Sequence, residues 1–181
     1  MLIPNNSDSL KIFYMDIKEI YTLRDYINTD SSKINELAVL SFSQFNHHYD
    51  DWAAFSNALR KFSELSKTSE IIIAHNAKDE VIGAVAYVPA HVKKAEFFPL
   101  DTPIIRMLVV DPNYRGKGIG KALSLECIER AKRDRSNTIA LHTSSIMDVA
   151  LPMYLSMGFN KQCAAPDIFG VKYNVYSKNI A

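Results

Sequence analysis

A chain of 181 residues, 48% hydrophobic and 23% charged, can build one soluble globular domain with a sizeable core. Its 21 Lys and Arg stand against 20 Asp and Glu, so no general attraction to nucleic acid is expected. No apolar run is long enough to cross a bilayer, and the opening M-L-I-P-N-N-S-D-S lacks the basic start and apolar centre of a signal peptide, so neither a membrane partner nor a leader is expected.

Leu10 to Met15 reads as a first strand. Asp16 opens a helix with Glu19 as its capping partner, and Ile17, Ile20, Tyr21 and Ile27 share one face. Asp30-Ser31-Ser32 caps a second helix, which runs through Ile34, Leu37 and Ala38 to Phe42. Gln44 to Asp51 (Q-F-N-H-H-Y-D-D) is a polar, aromatic interruption. His47, His48 and Asp50 do not make a metal site: adjacent histidines project in different directions, and no further ligand follows at a recognised spacing. Asp50 or Asp51 caps the next helix. There Trp52, Phe55, Leu59, Phe62 and Ser66 recur at helical period and read as core.

Glu70–His75 and Val81–Val88 read as a hairpin turned at Asn76–Glu80. Ala90 to Thr102 is a loop. Ile104–Val110 is a β-branched run bounded by Pro103 and Asp111-Pro112, the pattern of a buried strand. Ile119–Arg133 carries a helical stripe of Ile119, Ala122, Leu123, Cys127, Ile128 and Ala131. Cys127 belongs to that stripe. With Cys163 it forms neither a metal pattern nor a disulfide framework, and the expected compartment is the cytoplasm.

Between that strand and helix lies Arg115-Gly116-Lys117-Gly118-Ile119-Gly120. Glycine lets a ligand approach the main chain, and the first N–H groups of a helix lack internal partners, so the turn is suited to an anion such as a pyrophosphate. Taken alone, a tight turn with solvated cations explains the loop equally well. Gly116, Gly118 and Gly120 give G-x-G-x-G rather than the dinucleotide pattern G-x-G-x-x-G, and no Gly-Lys is followed by Ser or Thr as a P-loop requires.

Thr138–Thr143 is the next strand. A helix from Asp148 to Met157 stops at Gly158, and Phe159–Gln162 and Val171–Ser177 close the sheet. No repeat or linker divides the chain, so residues 1–181 read as a single domain of α/β class, a mixed central sheet flanked by helices.

Two stretches resemble the GNAT family of N-acetyltransferases. Arg115, Gly118 and Gly120 fill that family's acyl-CoA loop pattern (Q/R)-x-x-G-x-(G/A), within the similar flank V-x-P-x-Y-R-G-K-G-I-G-K-A-L. Ala150 to Phe159 (A-L-P-M-Y-L-S-M-G-F) matches A-x-x-(L/M)-Y-x-x-x-G-F. The resemblance implies the GNAT acyl-CoA N-acyltransferase fold, with acetyl-CoA as cosubstrate and no metal. It implies a bulged strand whose Leu108, Val109 and Val110 pair with the pantetheine arm. It places the pyrophosphate on the amides of Arg115, Gly116, Lys117, Gly118, Ile119 and Gly120, with Arg115, Lys117 and Lys121 as rim charges. An N–H near Val109 or Val110 would polarise the thioester carbonyl, and Tyr154 would act as general acid. A tyrosine that merely packs on an amphipathic helix is the plain alternative for Tyr154. The family often has Asn where this chain has Met147, so Ser144 or Ser145 would have to replace that contact. Pro152 is tolerated in the first turn of its helix and kinks it elsewhere. For the base, Glu96, Asp101 and His142 are the candidates, His142 foremost.

The implied function is acetyl transfer from acetyl-CoA to a primary amine of a small molecule or peptide, directly within a ternary complex. A non-catalytic acyl-CoA-binding or regulatory module on the same scaffold is the alternative, and a nucleotide-binding protein using the loop is a third reading. The acceptor would be set by the first two helices and the loops Phe45–Trp52 and Ala90–Thr102, with His47, His48, Tyr49 and Asp50 as a polar aromatic wall. A homodimer is compatible with the chain, although no residue argues for it.

Overall fold

In the computed structural model, which describes residues 20–181, every residue of β3 (Val81–Val88) is buried. The reason is that helices cover both faces of the sheet at its centre. On one face α1 (Ser31–Phe42) and α2 (Trp52–Leu59) bring Ile34, Leu37, Phe55 and Leu59 onto Ile71, Ile73, Ala84 and Ala86. On the other, α3 (Ile119–Arg133) lays Ile119, Leu123, Cys127 and Ile128 on Ile72, Ala74 and Val85. Alternation along β2 (Glu70–His75) and β3 divides the apolar side chains between the two cores.

Among the described residues seven strands form one sheet, ordered β1-β2-β3-β4-β5-β7-β6. β1 is Thr22–Asp25, β4 Ile104–Val110, β5 Thr138–Thr143, β6 Asn160–Ile168 and β7 Val171–Asn179. All neighbours are antiparallel except β4 and β5, which are parallel and share a single register pair, Ile104 with Ala140. Ala140 N–H donates to Pro103 O at 3.0 Å, and beyond that point the two strands part. The fold is therefore a mixed sheet flanked by helices, as the order of elements implied.

A bulge in β4 decides which side chains face the opening. Ala84 lies opposite Val109 but Ala86 lies opposite Arg106, so Met107 and Leu108 share one residue of β3. Met107 takes φ +57°, a left-handed conformation uncommon for a side-chain-bearing residue. The extra residue shifts the alternation by one. Arg106 and Met107 thus stand on the α1/α2 side, while Leu108 and Val110 turn to the α3 side.

The hairpin β2–β3, β4, α3 and β5 have the boundaries read from the sequence. Other segments differ. Tyr21 to Ile27 was expected on a helix face, but Thr22–Asp25 is an edge strand paired with Ile72–His75, because the sheet edge offers main-chain partners that outweigh a weak helical pattern. The stripe from Trp52 to Ser66 is not one helix: α2 ends at Leu59 and a 3₁₀ turn covers Phe62–Lys67. Asn35 Oδ1 on α1 accepts the Ser63 amide at 2.8 Å, an N–H that a continuous helix would spend four residues back. Asp30 does not cap α1 with its side chain. It pairs with Arg24 at 2.7 Å and accepts the Ile27 N–H. β6 extends past Gln162 to Ile168, because an edge strand accommodates Pro166. α4 spans Ala150–Ser156, so Pro152 falls in the first turn, and Gly158 ends it at φ +87°. The expected strand Leu10–Met15 and the cap from Asp16 to Glu19 lie outside the described residues.

Candidate active site

Where β4 and β5 part, two cavities of about 290 Å³ each adjoin. Phe42, Leu108, Met147 and Ala150 line both, so these four residues form the partition.

The first cavity is the groove over the glycine loop. Gly116 and Gly118 have φ of +75° and +79°, and Gly118 is the left-handed N-cap of α3. Ala122 N–H is the first to close a helical bond, to Gly118 O at 3.0 Å. The amides from Gly116 to Lys121 have no main-chain acceptor among the described residues. These free donors, with the positive end of the α3 dipole, make an anion site at one end of an otherwise apolar groove.

Of the residues expected there, Leu108, Val110, Arg115, Gly116, Gly118, Ile119, Gly120 and Lys121 line the groove. Lys117 instead rests over the Tyr114 ring, 4.9 Å from its centre. Val109 is 1% exposed and turns into the opposite core. Asp111 donates to Ile82 O, so by the alternation of an antiparallel ladder Val109 spends its main-chain groups on β3 and Val110 presents its own to the gap. Arg115 reaches across to α1, where its Nη2 donates to Ser41 O at 3.0 Å. Ser144 is buried and accepts the Ile146 N–H, so it holds the turn and leaves the groove wall to Met147.

The second cavity lies between α2, β4, β5 and the β6–β7 hairpin. Tyr154 lines it and is 5% exposed, edge-on to Phe159. Burial pushes its pKa up, and the neighbouring Ser124 acts weakly in the other direction. The Ser124 hydroxyl donates to Gly120 O at 2.8 Å. His142 also lines the cavity, packed against Phe97, Phe98 and Tyr173. Its Nδ1 is buried with no partner among the described residues, and burial, then the Arg106 cation, pushes its pKa down to about 4. Glu96 and Asp101 are exposed and line neither cavity.

The expected polar wall of His47, His48, Tyr49 and Asp50 does not line the cavity. Tyr49 is buried, its hydroxyl 2.8 Å from that of Tyr173, and Asp50 N–H donates to Phe169 O. The wall comes from Phe55, Leu59, Ile168 and Phe169 instead. Sequence reading missed Arg106, the one cation lining this cavity among the described residues. The lone charge in an otherwise apolar strand was the available signal, since it marks where β4 meets solvent.

The glycine loop and the two strands that part beside it lie within the stretch that the family comparison matches. Residues 32–159 match the model of the "Acetyltransferase (GNAT) family". The chain belongs to the GNAT acetyltransferase family. GNAT structures share its fold over nearly the whole chain. A Corynebacterium glutamicum protein described as histone acetyltransferase HPA2 and related acetyltransferase superposes with TM-score 0.69 at 21% identity, covering 90% of this chain and 97% of that one. The protein yncA of Salmonella typhimurium, solved with its cofactor acetyl-CoA, gives 0.66 at 17% identity over 89% and 94%. Among curated GNAT relatives, N-acetylaspartate synthetase of Xenopus tropicalis is 42% identical over 55 residues, 30% of this chain and 20% of that protein. Human N-acetyltransferase 8B is 29% identical over 106 residues, 55% of this chain and 42% of that protein. The matches thus span less than half the length of these curated relatives. Among the described residues, no helix is long and apolar enough to cross a membrane.

Proposed function

We propose that the chain is an acetyl-CoA-dependent N-acetyltransferase that moves an acetyl group directly to a primary amine of a small molecule or peptide. The observation that carries this reading is the pair of cavities meeting at one thin partition, Phe42, Leu108, Met147 and Ala150. Two reactants can approach there from opposite sides without a covalent enzyme intermediate. Acetyl-CoA supplies an activated thioester. The residues present fit it: free amides from Gly116 to Lys121 suit the pyrophosphate, and the unpaired edge of β4 at Val110 suits an amide-bearing arm laid alongside.

The chemistry forms a C–N bond and breaks a C–S bond. The Val110 N–H faces the gap and is the donor placed to polarise the carbonyl. The amine loses one proton and the departing sulfur gains one. Tyr154 is the donor for the sulfur. Its raised pKa keeps it protonated at every working pH, and the same dry surroundings raise the thiol's own proton affinity. His142 is neutral at pH 7 but, titrating near pH 4, is a weak base. Water therefore takes the amine's proton, with His142 as a neutral hydrogen-bonding partner on the acceptor side.

The test is thiol release from acetyl-CoA across a panel of amines, amino acids and peptides, with acetyl-CoA affinity measured separately by calorimetry. Tyr154→Phe is expected to lower turnover by about 10²-fold or more and leave that affinity within a factor of two. Acetyl-CoA binding without turnover on any amine would turn the reading into that of a non-catalytic acyl-CoA-binding module. No binding at all would overturn both.

A further inference from the structure

Arg106 stands in the second cavity without a counter-charge. It makes no ion pair or side-chain hydrogen bond among the described residues, and no Asp or Glu lines that cavity. Arg106 is exposed to solvent, and the chain around it pushes its pKa down only by partial desolvation. A guanidinium does not shed its proton in proteins, so the charge persists. An exposed guanidinium at the edge of an apolar wall is open to an anionic group and can fork onto a carboxylate. Alternation from Ile104 and Ile105 aims Arg106 to this side, and the bulge, with Met107 at φ +57°, adds Met107 to the same face.

Thr143 apart, the rest of the wall is apolar or aromatic, with Phe55, Leu59, Ile168 and Phe169 opposite the strand. The partition at Leu108 is two residues along β4 from Arg106, and Tyr154 lies on the same cavity. A ligand that satisfies the cavity needs an anion for Arg106, an amine at the partition and an apolar body against α2 and the hairpin tip. An α-amino acid carries its carboxylate and amine on one carbon, and its side chain leaves that carbon in a third direction.

We propose that this cavity takes a carboxylate-bearing amine with an apolar side chain, an apolar α-amino acid in its simplest form, and that Arg106 binds the carboxylate. The proposal rests on the acyl-transfer reading above, which places the amine at the partition. The acetyl carbon forms a bond to the amine nitrogen as its bond to sulfur breaks, giving an N-acetyl amino acid and free CoA thiol, with one proton leaving the amine and one reaching the sulfur. Cationic acceptors, such as polyamines, meet a like charge at Arg106. A second carboxylate, as in aspartate, meets the apolar wall.

The experiment pairs phenylalanine with phenethylamine, which differ only in the carboxylate, and adds aspartate. Acetylation kinetics are measured for the wild-type chain and for Arg106→Leu. Binding of each amine to the CoA-saturated chain is measured by calorimetry. Wild type is expected to favour phenylalanine over phenethylamine by about 100-fold in kcat/KM and over aspartate by at least 10-fold. Arg106→Leu is expected to bring phenylalanine and phenethylamine within about threefold, with CoA affinity unchanged. Carboxylate-dependent binding that vanishes in Arg106→Leu, without turnover, upholds the acceptor class and overturns the acyl-transfer reading. Turnover with no carboxylate preference, or a preference that survives in Arg106→Leu, overturns the proposal and leaves acyl transfer standing. An absence of both binding and turnover for all three amines overturns it as well.

Discussion

Arg115 Nη2 donates to the carbonyl of Ser41 at 3.0 Å, tying the glycine loop to the last turn of α1 across 74 residues of sequence. That carbonyl lies at a helix C-terminus, where the dipole favours a cation. The bond therefore sets where the loop stands over the groove rather than supplying charge to a ligand.

Removing it should loosen the loop and leave its amides in place. A hydrogen bond to a charged donor contributes ~1.5–3 kcal/mol when dry and less here, where Arg115 is half-buried. Arg115→Ala is expected to raise the acetyl-CoA dissociation constant by about tenfold, ~1.4 kcal/mol, with kcat changed less than threefold. Calorimetry and steady-state kinetics read the two quantities. An unchanged affinity would mean that the loop holds its shape without α1.

Gly118 and Gly120 should respond to alanine with opposite sign. Gly118 sits at φ +79°, and the nearest atom to an added Cβ is Tyr21 Oη at 4.0 Å, so the cost is backbone strain alone. Gly118→Ala should lose ~1–2 kcal/mol of unfolding free energy. At Gly120 the backbone is ordinary helix, and the new methyl meets Met153 Sδ at 3.6 Å and Leu108 Cδ2 at 3.7 Å, both normal contacts. Gly120→Ala should gain ~0.5 kcal/mol from reduced chain entropy while narrowing the cofactor groove. Urea unfolding of both variants decides the signs.

The same residues show what could be read from the sequence. The boundaries of β2, β3, β4, α3 and β5 follow from runs ended by Pro103, Pro112 and the glycine loop, where propensity and pattern agree. Tyr21 to Ile27 misled because a four-residue edge strand is too short to display a period, and its pairing partner, Ile72–His75, lies far along the chain. The groove was legible because glycines announce a main-chain site. The second cavity was not, because the faces of Met107 to Val110 depend on the bulge at Met107, which no local pattern marks. His47 and His48 drew attention by residue type, yet Phe55, Leu59, Ile168 and Phe169 supply the wall they were expected to form.

The two cysteines should differ in reactivity. Cys127 is 0% exposed, and burial pushes its thiol pKa up, so the thiolate that alkylating agents attack is scarce and shielded. Cys163 is exposed on the edge strand β6. Native protein should take one maleimide per chain, at Cys163, and denatured protein two, as read by intact mass. Rapid native labelling of Cys127 would mean that α3 leaves the sheet far more often than its packing implies.

The last prediction concerns acid stability and turns on His142. Its ring is held neutral between Phe97, Phe98 and Tyr173, with a folded pKa of about 4 against 6.5 for the free side chain. The sign follows from where the proton goes. Above pH 6.5 neither state binds it. As pH falls from 6.5 toward 4 the unfolded chain takes a proton that the folded site refuses, so stability is lost across that window and levels off below it. The loss is at most ~3 kcal/mol, and smaller to the extent that water in the cavity reaches the ring. His142→Phe removes the titration and the unpartnered Nδ1 together. The variant should be as stable as wild type or slightly more so at pH 7, and should lose ~1–3 kcal/mol less than wild type between pH 7 and 4.5. Urea unfolding of both proteins at the two pH values measures that difference. Parallel losses would show that the ring takes up a proton in the folded state near its ordinary pKa, and His142 would then be able to act as the acceptor's base near neutral pH.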